Sequence, residues 1–180
     1  MSGEGSSQNK IIKNRNHEKS NLETDHSDRH HRINRYCNII DYNIMRSINL
    51  IVIHCSATRA DRRFSVEDLI ACHDARFGFT GYHYYITRDG KVYQTRHENL
   101  VGAHVRHYNQ HSIGVCYEGG LDAKGKSKDT RTEEQKHALW ALLKSLKEDY
   151  PNAVILGHRD LPHVAKNCPC FDAKAEYAGL

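Results

Sequence analysis

Two histidines and a cysteine stand where the chain could gather them around one divalent cation. His158 follows a short apolar run, residues 153–156, with the length and composition of a buried strand. His54 closes a longer run of the same kind, Leu50-Ile51-Val52-Ile53. A side chain at a strand end is aimed by a rigid sheet. Cys168 follows His158 on a polar loop that also carries Lys166. Imidazole nitrogen and thiolate sulfur are donors that zinc favours, and three protein ligands with one open position make a catalytic centre rather than a structural one. The chain has 14 histidines and six cysteines, so chance proximity of such residues is easy. The weight of the reading therefore rests on two histidines that each end a strand, and on the Lys-x-Cys loop after the second.

Two neutral imidazoles and one thiolate would leave Zn²⁺ a net charge near +1, enough to bring the pKa of a bound water from ~15.7 toward ~7. That is hydrolase chemistry, and the oxyanion formed at an attacked carbonyl needs a second cation or donor. Lys166 is the natural cation. Tyr82, at the mouth of an aromatic strand, can orient or deprotonate the attacking water or donate to the oxyanion. No His-Glu-x-x-His helix is present, which excludes that protease class. A nucleobase deaminase would need His-x-Glu with Cys-x-x-Cys, and the chain lacks that combination.

The elements that must position these groups are legible in order. Residues 48–55 are nearly all apolar, as in a central strand covered on both faces. Neighbours on a strand point to opposite faces, so Cys55 is assigned to the core and His54 to the site. Ser65 and Asp68 form a capping box, Val66, Leu69, Ile70, His73 and Phe77 share one helical face, and Gly78 ends the helix. Cys72 and His73 are assigned to the contact between this helix and the sheet. Residues 81–87 and 92–94 flank Asp89-Gly90, a strong hairpin signal, with Tyr82, Tyr84 and Ile86 on one face. The loop 100–110 is rich in polar rings, a composition suited to binding. Residues 112–118 form another strand, and 121–131 a charged surface loop. Thr132 and Gln135 make a second capping box, with Leu139, Leu142, Leu143, Leu146 and Tyr150 as its buried face and Pro151 as its stop. Residues 171–177 form a short last helix.

Composition sets the frame. A hydrophobic content of 38% and a mean hydropathy of −0.74 are low for a fully packed chain. Residues 1–46 account for this: Ser, Asn, His and charges of both signs, without period, predict a disordered polar extension ahead of a single domain over 47–180. A chain starting at Met45 is expected to fold by itself. The net charge of +4 is too modest to argue for a nucleic-acid partner. No apolar run reaches the ~20 residues of a membrane span. No apolar stretch marks a secretory signal, so synthesis in the cytoplasm with reduced thiols is expected, not a disulfide framework.

Several segments, taken together, carry a resemblance. Ile53-His54-Cys55-Ser56-Ala57-Thr58, Gly81-Tyr82-His83-Tyr84, Arg88-Asp89-Gly90, Val101-Gly102-Ala103-His104, Asn109, Ser112-Ile113-Gly114-Val115-Cys116, Gly157-His158 and Lys166-x-Cys168-Pro169-x-Phe171-Asp172 resemble the zinc-dependent N-acetylmuramoyl-L-alanine amidases of the phage lysozyme and peptidoglycan-recognition-protein type. The resemblance runs in order from Ile48 to Asp172. It implies an α/β fold, a mixed central β-sheet flanked by helices, with a groove for glycan-peptide. It implies cleavage of the amide between N-acetylmuramic acid and L-alanine in peptidoglycan, with Zn²⁺ as cofactor, by a monomer that reaches the cell wall after release, as in phage or prophage lysis. His54, His158 and Cys168 match the family's zinc ligands, Tyr82 and Lys166 its catalytic pair, and His104 and Asn109 its substrate-binding loop. Two departures stand out. The segment between His158 and Cys168 is slightly longer and contains His163, and Cys170 offers a second thiol, although Pro169 after Cys168 fits the family pattern better. The alternative is a non-catalytic peptidoglycan-binding module of the same fold. Such relatives typically lack the cysteine, whereas Cys168 is present here with both histidines.

Overall fold

A computed structural model describes residues 46–180. In chain order the elements are β1 (Leu50–Cys55), β2 (Thr58–Arg59), α1 (Val66–Phe77), β3 (Tyr84–Ile86), β4 (Val92–Gln94), β5 (Ser112–Tyr117), β6 (Gly120–Leu121), α2 (Glu133–Asp149), β7 (Val154–Gly157) and α3 (Ala173–Glu176). Single 3₁₀ turns, Asn109–His111 and His158–Asp160, precede β5 and follow β7.

The apolar strand β1 lies inside a five-stranded sheet of order β4-β3-β5-β1-β7. It pairs in parallel with β5 and β7, β3 joins β5 in parallel, and only the β3–β4 hairpin is antiparallel. Parallel strands need helices on both faces, because their crossovers must return over the sheet. On one face, Ile51, Ile53, Ile113, Val115, Tyr84 and Ile86 pack against Leu139, Leu142, Leu143 and Leu146 of α2. The opposite face is covered in two patches. Val66 and Leu69 of α1 lie with Tyr85 and Cys116, and Val105 and Leu161 close over Val52. The cavity forms on this face, with His54, Tyr82 and His104 among its lining residues. The small parallel pair of β2 and β6 was not anticipated from sequence.

Both capping boxes form: Ser65 with Asp68 at α1, and Thr132 with Gln135 at α2. Gly78 terminates α1 at φ +75°, a left-handed conformation that costs glycine nothing. Two expectations along the chain change. Ile70 and Cys72 are exposed, because the buried stripe of α1 follows Val66 and Leu69, and Cys72 lies well to one side of it. Tyr82 does not share a face with Tyr84: the strand begins only at Tyr84, so the alternation does not extend back, and Tyr82 packs on the α1 side.

The expected extension lies outside the described residues except for Arg46. Its guanidinium donates to the carbonyls of Glu98 (2.6 Å), Leu100 (2.7 Å), Asn109 (2.7 Å), Gln110 (3.2 Å) and Ser112 (2.7 Å), tying the loop 98–112 to the start of β1. No helix among the described residues is long and apolar enough to cross a membrane.

Candidate active site

The sheet register brings the two histidines together. Ile53 is paired with Gly157, so the next residues, His54 and His158, emerge side by side, with ring centroids 4.6 Å apart. His54 is 1% exposed. Cys168 arrives from the loop after β7, its Sγ 3.8 Å from His54 Nδ1. That loop is pinned at several points. Cys55 N donates to Cys168 Sγ (3.3 Å), Arg159 N to Cys168 O (2.7 Å), and the Tyr117 hydroxyl to Pro169 O (2.6 Å). The ligand atoms of His54, His158 and Cys168 all lie within 4.8 Å of one another. Nitrogen and sulfur on one tetrahedral zinc stand ~3.6 Å apart, so the separation of His54 Nδ1 and Cys168 Sγ suits that ion.

The protons on His54 follow from a chain of hydrogen bonds that ends on a carbonyl. Tyr108 O can only accept, so the Ser112 hydroxyl donates to it (2.8 Å). Ser112 Oγ then accepts from His104 Nε2 (3.3 Å), which leaves His104 Nδ1 as an acceptor for His54 Nε2–H (3.1 Å). His54 Nδ1 is thereby left with its lone pair toward Cys168. The second ring nitrogen of a metal-ligating histidine is commonly held this way. Burial, then the neighbouring His104, His158 and Lys166, push the His54 pKa well below its ordinary value. Burial and Lys166 lower that of His158 as well. Both rings are therefore neutral and free to ligate near pH 7.

His104 and Asn109 both line the cavity, but the ring nitrogens of His104 and the Asn109 Oδ1 are engaged within the protein. Asn109 Oδ1 accepts from His104 N (2.9 Å) and Val105 N (2.8 Å), shaping the loop that delivers the His104 ring. That ring lies directly on Gly114 of β5, where a Cβ would come within 2.6 Å of it.

Tyr82 and Lys166 both line the cavity. The Tyr82 ring is 5.1 Å from that of His54, and burial raises its phenol pKa well above the usual value, so the hydroxyl keeps its proton. Lys166 is exposed on the cavity wall. The longer segment after His158 turns at His163 (φ +62°), and both His163 and Lys166 line the cavity. Cys170 points elsewhere, its Sγ 3.7 Å from Cys55 Sγ and donating to Gly120 O (3.1 Å).

One further site residue escaped the sequence reading. His73, assigned there to helix–sheet packing, lines the cavity with its ring 5.0 Å from Tyr82, and its Nδ1 accepts from Gly81 N (2.9 Å). Its one-turn spacing from Phe77, which also lines the cavity, was the available signal. The cavity measures about 1170 Å³, and among the described residues its walls carry Arg76, Arg106 and Lys166 but neither aspartate nor glutamate.

Residues 44–171 match the profile of the N-acetylmuramoyl-L-alanine amidase domain. The chain belongs to the N-acetylmuramoyl-L-alanine amidase family. It is 42% identical over 125 residues to an endolysin of Klebsiella phage KP32, covering 69% of this chain and 82% of that one. It is 38% identical over 136 residues to an endolysin of Escherichia phage T7, covering 75% and 89%. Among solved structures, the N-acetylmuramoyl-L-alanine amidase LysC from Clostridium intestinale superposes with a TM-score of 0.59 at 29% identity, over 76% of this chain and 84% of that one. As an amidase of this family, the protein hydrolyses the amide between N-acetylmuramic acid and L-alanine in peptidoglycan.

Proposed function

We propose that this amidase works with one zinc ion held by His54, His158 and Cys168, and that Tyr82 and Lys166 carry the rest of the chemistry. The observation that carries the reading is the trio of donor atoms within 4.8 Å, with the His54 lone pair turned toward Cys168 by the His104–Ser112–Tyr108 chain. Two imidazoles and a thiolate form a donor set that zinc accepts with a position left open. When bound, zinc polarises a carbonyl and acidifies water toward neutral pH. The protonated Tyr82 hydroxyl donates to the oxyanion that develops on the scissile carbonyl, and the Lys166 ammonium offsets its charge from the exposed side. Arg76 and Arg106, in a cavity that no described carboxylate lines, suit a stem peptide that carries carboxylates. His104 and Asn109 shape the groove against which that peptide lies.

The same reading places the catalytic domain in 47–180 and treats 1–46 as a dispensable extension. It has the protein act as a monomer on the cell wall after release from the cell that made it. The thiol at Cys168 favours catalysis over a module that only binds peptidoglycan. Mass spectrometry of digests of purified murein sacculi tests this. Stem peptides freed at L-alanine are expected, with release abolished by a zinc chelator and in Cys168→Ser and His54→Ala. Undiminished release under all three conditions would remove the metal from the mechanism, and tight murein binding without release would favour the module.

A further inference from the structure

The Cys168-Pro169-Cys170 motif supplies one thiol more than the metal site uses. Cys170 Sγ lies 3.7 Å from Cys55 Sγ, with Cys170 at φ +72°, a left-handed conformation uncommon for a side-chain-bearing residue. The position opposite both sulfurs is glycine. A Cβ on Gly120 would stand 2.4 Å from Cys55 Sγ and 3.5 Å from Cys170 Sγ, so its absence leaves the two thiols room to meet. Cys55 belongs to the core beneath the sheet, Cys170 packs against that core, and Cys170 does not line the cavity.

We propose that Cys55 and Cys170 form a disulfide when the protein meets an oxidising compartment. The proposal rests on the cell-wall location read above, since that is where such a compartment is met. Sulfur atoms in a disulfide are ~2.05 Å apart, so the two must approach by roughly 1.7 Å, the scale of side-chain rotation. In the reaction, Cys170, the more exposed of the two, gives up its proton, attacks one sulfur of a disulfide oxidant and expels the first thiol. Cys55 then attacks Cys170 within the mixed disulfide and expels the second. Two protein thiols lose two electrons, and the oxidant becomes two thiols that carry away both protons. Cys168 is the competitor, because Cys55 N already donates to its Sγ. With zinc bound, Cys168 is held as a ligand and Cys170 is the partner left for Cys55. The bond joins the end of β1, next to His54, to the loop that presents Cys168 and Lys166.

The test uses the full-length, zinc-loaded protein, incubated with oxidised glutathione at mildly alkaline pH, alkylated and mapped by mass spectrometry. The expected product is a Cys55–Cys170 cross-link with Cys168 unlinked. Oxidation should raise Tm by roughly 5–10 °C. In Cys170→Ser the same treatment should leave Tm unchanged, and the reduced variant should hydrolyse murein at the rate of the reduced wild type. Cys55 and Cys170 recovered as free, alkylated thiols would overturn the proposal, as would either of them linked to Cys37, Cys72 or Cys168. Mapping the wild type decides the question even if the variant folds poorly. Since mapping needs no hydrolysis, a cross-linked protein that leaves murein intact would count against the assigned activity and not against the disulfide.

Discussion

Replacing Gly114 with alanine tests the hydrogen-bond chain behind His54 without touching a metal ligand. The backbone at Gly114 lies outside the left-handed region, so alanine costs nothing in conformation there. The cost is contact. The new methyl would stand 2.6, 2.7 and 2.8 Å from Cγ, Cδ2 and Nδ1 of His104. Restoring an ordinary contact of ~3.5 Å requires the ring to retreat by about 0.8 Å. The part of that retreat directed along the His54 Nε2···His104 Nδ1 bond lengthens it from 3.1 Å, to ~3.9 Å at most, where hydrogen bonding is lost. A buried donor that loses its acceptor costs about 1–3 kcal/mol, and loss of such an outer partner typically weakens metal binding ~10–100-fold. Competition with a chromophoric zinc chelator measures that affinity directly, with circular dichroism as the control for folding. His104→Ala removes the ring that the methyl strikes, so the double variant Gly114→Ala/His104→Ala should bind zinc no more weakly than His104→Ala alone. Wild-type zinc affinity in Gly114→Ala, or additive losses in the double variant, would refute the relay.

Two predictions concern the rest of the site and the fold around it. Tyr82→Phe and Lys166→Ala should retain zinc by metal analysis but lose turnover on the order of 10²–10³-fold on murein, and an unchanged rate in either variant would remove that residue from the mechanism. For the metal-free protein, His83 gives a pH dependence. It is fully buried with Nδ1 accepting from Gly114 N (3.0 Å), and burial pushes its pKa down to about 4. The unfolded chain, near 6.5, takes up the proton first, so this stability is present above pH ~6.5 and is lost as pH falls toward 4, amounting to roughly 3 kcal/mol. Burial moves His54 and His104 in the same direction. Urea midpoints should therefore fall steadily from pH 7 to pH 4.5, and a flat profile would contradict the assignment.

Much of this protein is local in origin and so legible in its sequence. Apolar runs named the central strands, because burial on both faces demands continuity. Ser65 with Asp68 and Thr132 with Gln135 marked helix starts, because capping is satisfied within one turn. Asp89-Gly90 announced the hairpin that forms between β3 and β4. The types of the proposed metal ligands, and the strand ends that hold His54 and His158, came from the same local rules.

Tertiary structure decided what depends on contacts between distant segments. Which cysteine turns to His54 depends on the path of the loop after β7, and a Cys-Pro-Cys triplet does not encode that path. Tyr82 left the face of Tyr84 because strand pairing begins only at Tyr84, a matter of partner strands rather than of alternation. His73 and His104 acquired their places beside Tyr82 and His54 through α1 and the loop that Arg46 and Asn109 hold against the sheet. Sequence by itself determined the chemical inventory and the elements that carry it. Only the folded sheet, by its register and by the space a glycine leaves, decided which atoms face one another.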